Sequence, residues 1–73
     1  MARAAVIGEE LLVQGYALAG ALVYPAGDRD AASAAWHALP PDVAVAILTP
    51  GAAAWLGGEL GQRPEILTTV MRP

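Results

Sequence analysis

Ser33 and His37 stand four residues apart in a stretch running from Asp28 to Leu39. On a helix that spacing puts two side chains on one face, so hydroxyl and imidazole form the smallest set from which a nucleophile and its base could be assembled. The sequence places no third carboxylate to orient the imidazole, and both residues fall off the stripe marked by Trp36. They therefore read as a surface pair. Glu9 and Glu10 are the other candidates, as a general acid–base pair. Adjacent helical residues diverge by about 100°, however, and carboxylates just after Gly8 suit the positive end of a helix, so a helix-terminal charge role is the better reading. A dinucleotide site would require G-x-G-x-x-G after the first strand, whereas Gly8 is followed by two acids that would repel a pyrophosphate. The cluster Gly57-Gly58-Glu59-Leu60-Gly61 lies late in a helical stretch and reads as its loosening end. No cofactor is implied. With one histidine and no cysteine, no four-ligand zinc site is implied either.

Composition narrows the classes further. The chain has 73 residues, enough for one small domain over 1–73. Folding such a domain buries only about 60–65% of its unfolded surface, so a partner would add needed stability. Four arginines, no lysine and seven carboxylates give a net charge of −3, opposite to the footprint of a nucleic-acid binder. Lacking lysine, the chain has neither a Walker lysine nor a Schiff-base nucleophile. The absence of cysteine fits a reducing compartment. Although 56% of the residues are hydrophobic, the uncharged run from Leu11 to Gly27 is a poor membrane span. Gln14, Gly15, Gly20, Pro25 and Gly27 interrupt it, and it falls short of the roughly 20 apolar residues required. Glu9 and Glu10 likewise break the apolar segment that a secretory signal would carry after Arg3.

The elements that must position these residues follow from the apolar pattern. Ala4 to Ile7 reads as a strand, with Gly8 as the turn into a helix from Glu9 to about Gly20 whose apolar residues Leu11, Leu12, Gly15, Tyr16, Leu18 and Ala19 recur at helical spacing, the small pair Gly15 and Ala19 letting it pack closely on the sheet. Ala21 to Tyr24 is a second strand ended by Pro25-Ala26-Gly27. Asp28 caps a helix to Leu39 with Ala32, Ala35, Trp36 and Leu39 on one stripe, and Pro40-Pro41 stops it. Val43 to Leu48 is an unbroken apolar run expected at the sheet centre, covered on both faces. Thr49-Pro50 opens a third helix bearing Ala53, Trp55, Leu56 and Leu60, which glycines weaken toward its end. Ile66 to Met71 is a fourth strand. This alternation predicts an α/β fold with a parallel sheet joined by right-handed crossovers, and the reading adopted is a four-stranded sheet of order 2-1-3-4 flanked by helices in a Rossmann-like or flavodoxin-like three-layer sandwich.

With the order of elements in place, the stretch Ile7 to Gly20 resembles the first strand and helix of the F subunit of V-type and archaeal-type ATPases. That family reads Ile-Gly-Asp, five variable residues, then Gly-Phe-x-Leu-Ala-Gly. Here Ile7, Gly8, Glu9, Gly15, Tyr16, Leu18, Ala19 and Gly20 hold those positions at identical spacing, with Glu9 for Asp and Tyr16 for Phe. The valine-tyrosine ending the second strand, the acidic start of the second helix and the strand Val43 to Thr49 extend the likeness over nearly all of the chain. Leu11 and Leu12 stand where the family is usually polar, and the family's mobile C-terminal helix has no counterpart before Pro73.

The resemblance implies a non-catalytic central-stalk component of a rotary ATPase, peripheral to a membrane complex in the cytoplasm. It implies binding to a protein like the D subunit of those ATPases, among their other subunits. It implies no membrane insertion and no nucleic acid. The partner interface is expected at Glu9, Glu10, Tyr16, Trp36 and Trp55, because large aromatics in a small domain make good anchors. A second copy of the chain is the expected substitute partner, docked through helix faces with Trp36 or Trp55 near the centre. The alternative is a stand-alone interaction or regulatory domain similar to bacterial receiver domains. Those place a phosphoacceptor aspartate at the end of the third strand, where this chain has Thr49-Pro50, so phosphorelay chemistry is not expected.

Overall fold

The computed structural model describes residues 2–72, apart from the side chain of Ala19. Its strands are β1 (Arg3–Gly8), β2 (Leu22–Pro25), β3 (Val43–Leu48) and β4 (Leu67–Val70). They form one all-parallel sheet in the order β2-β1-β3-β4. The helices are α1 (Glu10–Val13), α2 (Arg29–Ala38) and α3 (Pro50–Leu56), and 3-10 segments extend α1 over Gln14–Ala19 and α3 over Gly57–Gln62. This is the α/β sandwich that the alternation of strand and helix predicts. Because the chain reverses its direction of travel across the sheet after β2, right-handed crossovers put α1 on one face and α2 with α3 on the other.

The caps are local chemistry. Asp28 accepts a hydrogen bond from the Ala31 N–H at 2.8 Å, and Thr49 accepts one from the Ala52 N–H at 3.2 Å with Pro50 in the first turn. Each satisfies a donor that a helix start leaves free. Past the end of α2, the Arg63 guanidinium donates through Nη1 to the carbonyls of Trp36 and Leu39, both at 3.1 Å. A cation there also complements the negative end of the helix.

The two faces of the sheet are unequally covered. Ala5, Ile7, Ala46 and Leu48 point into the main core with Ala32, Ala35, Trp36, Leu39, Ala52 and Leu56, so the stripe expected on α2 is buried. On the opposite face the register aligns Val23, Val6, Ile47 and Thr69, and one step away Ala4, Val45 and Leu67. Of these residues Val6 is fully buried, as is Val13 of α1, whereas Val45 and Ile47 are half-buried. The expectation that Val43 to Leu48 is covered on both faces is therefore corrected. α1 packs on β1 and β2 and is too short to cover Val45 and Ile47, and Ala44 is exposed where the register between β1 and β3 shifts.

The first helix differs from its expected form for the same reason. Only one α-turn forms before the chain tightens into the 3-10 segment, which ends at Gly20 with φ of +84°, a conformation that favours glycine. Leu11 (82% exposed), Leu12 and Leu18 (95%) then face outward instead of packing on the sheet, and a Cβ on Gly15 would meet open space. The close packing expected of Gly15 and Ala19 fails at Gly15, and the Ala19 side chain lies outside the described residues. At α3 the expected loosening is present: Gly57 takes φ of +46° and the chain continues as a 3-10 segment.

Candidate functional site

In open parallel sheets ligands bind outside the carboxyl ends of the strands, where the chain order reverses. Here that point lies between β1 and β3, which end at Gly8-Glu9 and Thr49-Pro50. The two ends meet closely. A Cβ on Gly8 would fall 2.7 Å from Thr49 Cβ and closer still to its Cγ2 and Oγ1. Among the described residues Thr49 is the one buried polar side chain, and its hydroxyl donates to Glu9 Oε1 while accepting from the Ala52 N–H. That donated hydrogen bond is the main reason the Glu9 carboxyl is held below its ordinary pKa.

Glu9 therefore has a role that its position in the sequence disguises. It stands at the N-cap of α1 yet makes no capping bond there. Its carboxylate instead crosses to the start of α3, where a Cβ on Gly51 would lie 2.6 Å from Glu9 Oε2. The expected helix-terminal charge role holds for Glu10 in the first turn of α1, while Glu9 serves a different helix. The crevice is thus occupied by the chain's own side chains, with a fixed negative charge where a phosphate would have to sit.

The second cluster joins α2 to the 3-10 segment after α3. Ser33 Oγ donates to Glu59 Oε1 at 2.7 Å, and His37 Nε2 lies 3.0 Å from the same oxygen. The Glu59 carbonyl accepts from Trp36 Nε1 at 3.1 Å. The carboxylate that the sequence could not place beside Ser33 and His37 is therefore Glu59, brought from 26 and 22 residues away. Its arrangement differs from that of a nucleophile, base and orienting acid. The serine proton is directed at the carboxylate rather than the imidazole, and no pocket adjoins the cluster among the described residues. Bonds from Ser33 and then His37 hold the Glu59 carboxyl below its ordinary pKa. What the cluster does is clasp the loose end of α3 onto α2.

A depressed carboxyl pKa favours the folded state above the unfolded pKa, and this contribution is lost as pH falls through the folded value. Glu59→Gln is therefore expected to lower the thermal midpoint at neutral pH, with the difference between the two proteins shrinking on acidification below the usual glutamate range. Melting curves recorded by circular dichroism from neutral to acidic pH check this. A difference that stays constant with pH would show that the clasp does not depend on the carboxylate charge.

The remaining expected interface residues divide by exposure. Glu10 is exposed, Tyr16 and Trp55 are half-buried, and Glu9 is engaged as described. Trp36 is corrected: it is 0% exposed and belongs to the core, because α2 turns its apolar stripe wholly inward. Sequence reasoning missed the Arg63 and Glu59 contacts, for which no local signal exists. Among the described residues, no group of three or more metal-ligating side chains forms, and no helix is long and apolar enough to cross a membrane. Compared with protein-family models, curated proteins and solved structures, the chain matches none.

Proposed function

We propose that the chain is a non-catalytic protein-binding domain. In its most specific form it is a central-stalk component of a rotary ATPase, like the F subunit of V-type and archaeal-type ATPases, and binds a protein like their D subunit. The observation that carries the binding role is the half-covered sheet face. On that face Val45 and Ile47 are half-buried and Leu67 is 70% exposed, and Leu11 and Leu18 project outward from α1 and the 3-10 segment that follows it. Large apolar side chains left in water next to an incompletely covered sheet mark a surface suited to another chain. The self-filled crevice at Glu9 and Thr49 supports binding over catalysis. The stalk assignment rests on the residues Ile7 to Gly20 and would make the domain peripheral to a membrane complex.

Titration of the chain with a D-subunit-like stalk protein tests the assignment. Binding is expected, weakened about tenfold by Leu18→Glu if Leu18 is an anchor. Absence of binding to that protein would overturn the stalk assignment. A second reading, a receiver-like interaction domain without phosphorelay chemistry, is favoured by Thr49 standing at the end of β3 and by its bond to Glu9. It predicts binding to a protein unrelated to rotary ATPases.

A further inference from the structure

We propose that β4 is a dimerisation edge, on which β4 of a second copy of this chain adds antiparallel across a two-fold axis to make one eight-stranded sheet. The two edges of the sheet are unlike. β2 ends in Pro25 and has the 3-10 segment Gln14–Ala19 against it, two devices that blunt an edge. β4, with the sequence Leu67-Thr68-Thr69-Val70, has no proline, glycine or charge. Its aliphatic residues are open on opposite faces, Leu67 at 70% and Val70 at 53% exposure.

The backbone fixes how a second copy fits. Met71 N–H donates to Leu48 O at 2.7 Å, so Met71 and its alternates Thr69 and Leu67 bond inward to β3. Thr68 and Val70 therefore present their N–H and C=O groups outward. A two-fold axis perpendicular to the sheet keeps side chains on their own faces, so it pairs residues whose numbers share parity. Placed at Thr69, the axis sets Thr68 opposite Val70 of the second copy, and Val70 opposite its Thr68, with each pair exchanging two hydrogen bonds. The two Thr69 side chains meet on the axis, a favoured cross-strand pair, and Leu67 covers Met71 of the second copy.

Charge selects this occupant and direction. Glu65, its side chain 60% exposed and touched by Arg63 Nε only at 3.4 Å, precedes β4, and the exposed Arg72 follows it. In the antiparallel arrangement Arg72 of the second copy comes abreast of Ile66, next to Glu65, and the symmetry repeats the contact. Glu65 lies in the turn closed by the Ile66 N–H to the Arg63 carbonyl, so it is not held to the alternation of the strand. The competing cation is occupied, since the Arg63 Nη1 group is turned to the carbonyls of Trp36 and Leu39. Parallel addition would instead bring Glu65 beside Glu65 and Arg72 beside Arg72.

Sedimentation of the chain alone from about 1 µM to about 1 mM, the range of weak specific contacts, is expected to show a monomer–dimer equilibrium with no larger species. Val70→Lys should weaken it at least about tenfold by burying a charge at the new junction. Glu65→Arg should weaken it by about threefold to tenfold over its two symmetric contacts, and adding Arg72→Glu should restore it. Leu18→Glu, on the surface assigned to another protein, should leave the dimer unchanged. Each variant is checked for an unaltered melt, and the surface swaps at Glu65 and Arg72 keep the test available should Val70→Lys not fold. A monomer throughout the range, a dimer indifferent to Val70→Lys, or a double charge swap that fails to restore association would overturn the proposal.

Discussion

Trp36→Ala is expected to remove about 3–5 kcal/mol of stability, against a total of about 5 kcal/mol for a domain of this size, so the variant should retain at most about 2 kcal/mol and unfold with little provocation. Trp36 is the largest fully buried side chain, and it packs among Ala5, Ile7, Ala32, Ala52 and Leu56 in the main core. Truncation would open a cavity that small neighbours such as Ala32 and Ala52 cannot fill. It would also remove the Nε1 donor to the Glu59 carbonyl, which holds the segment after α3 in place. Urea unfolding followed by far-ultraviolet circular dichroism measures the loss. Trp36→Phe separates the two effects, since it keeps most of the apolar volume and removes the hydrogen bond, with an expected loss of about 1–3 kcal/mol. A loss below about 1 kcal/mol for Trp36→Ala would be incompatible with a core centred on this residue.

Gly8→Val should be comparably severe, at about 3 kcal/mol or more. The reason is contact rather than conformation: Gly8 has no positive φ, yet any Cβ there would overlap the Thr49 side chain. Thr49 cannot yield by a rotamer change alone, because it caps α3 and bonds Glu9 at once. Pushing it aside would part the ends of β1 and β3 and release the Glu9 carboxylate. Gly20 provides the internal comparison. It has open space around a Cβ but a left-handed backbone, so Gly20→Ala should cost only about 1 kcal/mol. Thermal unfolding of the two variants side by side is the measurement, and equal losses would contradict the close approach at Gly8.

Both effects bear on how this small domain spends its apolar residues. One face of the sheet is closed by α2 and α3 with their caps, clasped at Glu59 and Arg63. The other is only started by α1, which leaves the surface on which the proposed binding role depends. The uncapped first helix is also where the resemblance to the ATPase stalk family is densest. Of that motif, Gly8 and Gly20 have structural reasons for being glycine in this chain, the first in a strand contact and the second in a left-handed turn. Gly15 has neither, since a side chain there would meet nothing.

Element order, the all-parallel 2-1-3-4 sheet, the bounds of β3 and the caps at Asp28 and Thr49 were all legible in the order of residues along the chain. The elements and caps rest on interactions within a few residues, where strand runs, turn residues and capping oxygens are written side by side, and the parallel sheet follows from the crossovers that such an alternation requires. Other features emerge only on folding. Glu9 reads as a cap for the helix that follows it, yet it bonds a threonine 40 residues away. Ser33 and His37 read as a bare pair, yet share a carboxylate from another element. Val45 and Ile47 read as doubly buried, yet their outer face is only half covered. Each of these outcomes depends on which segments the crossovers bring together and how far a one-turn helix can reach across a sheet. Local propensity does not encode such distances, because they are set by packing among residues that are remote along the chain.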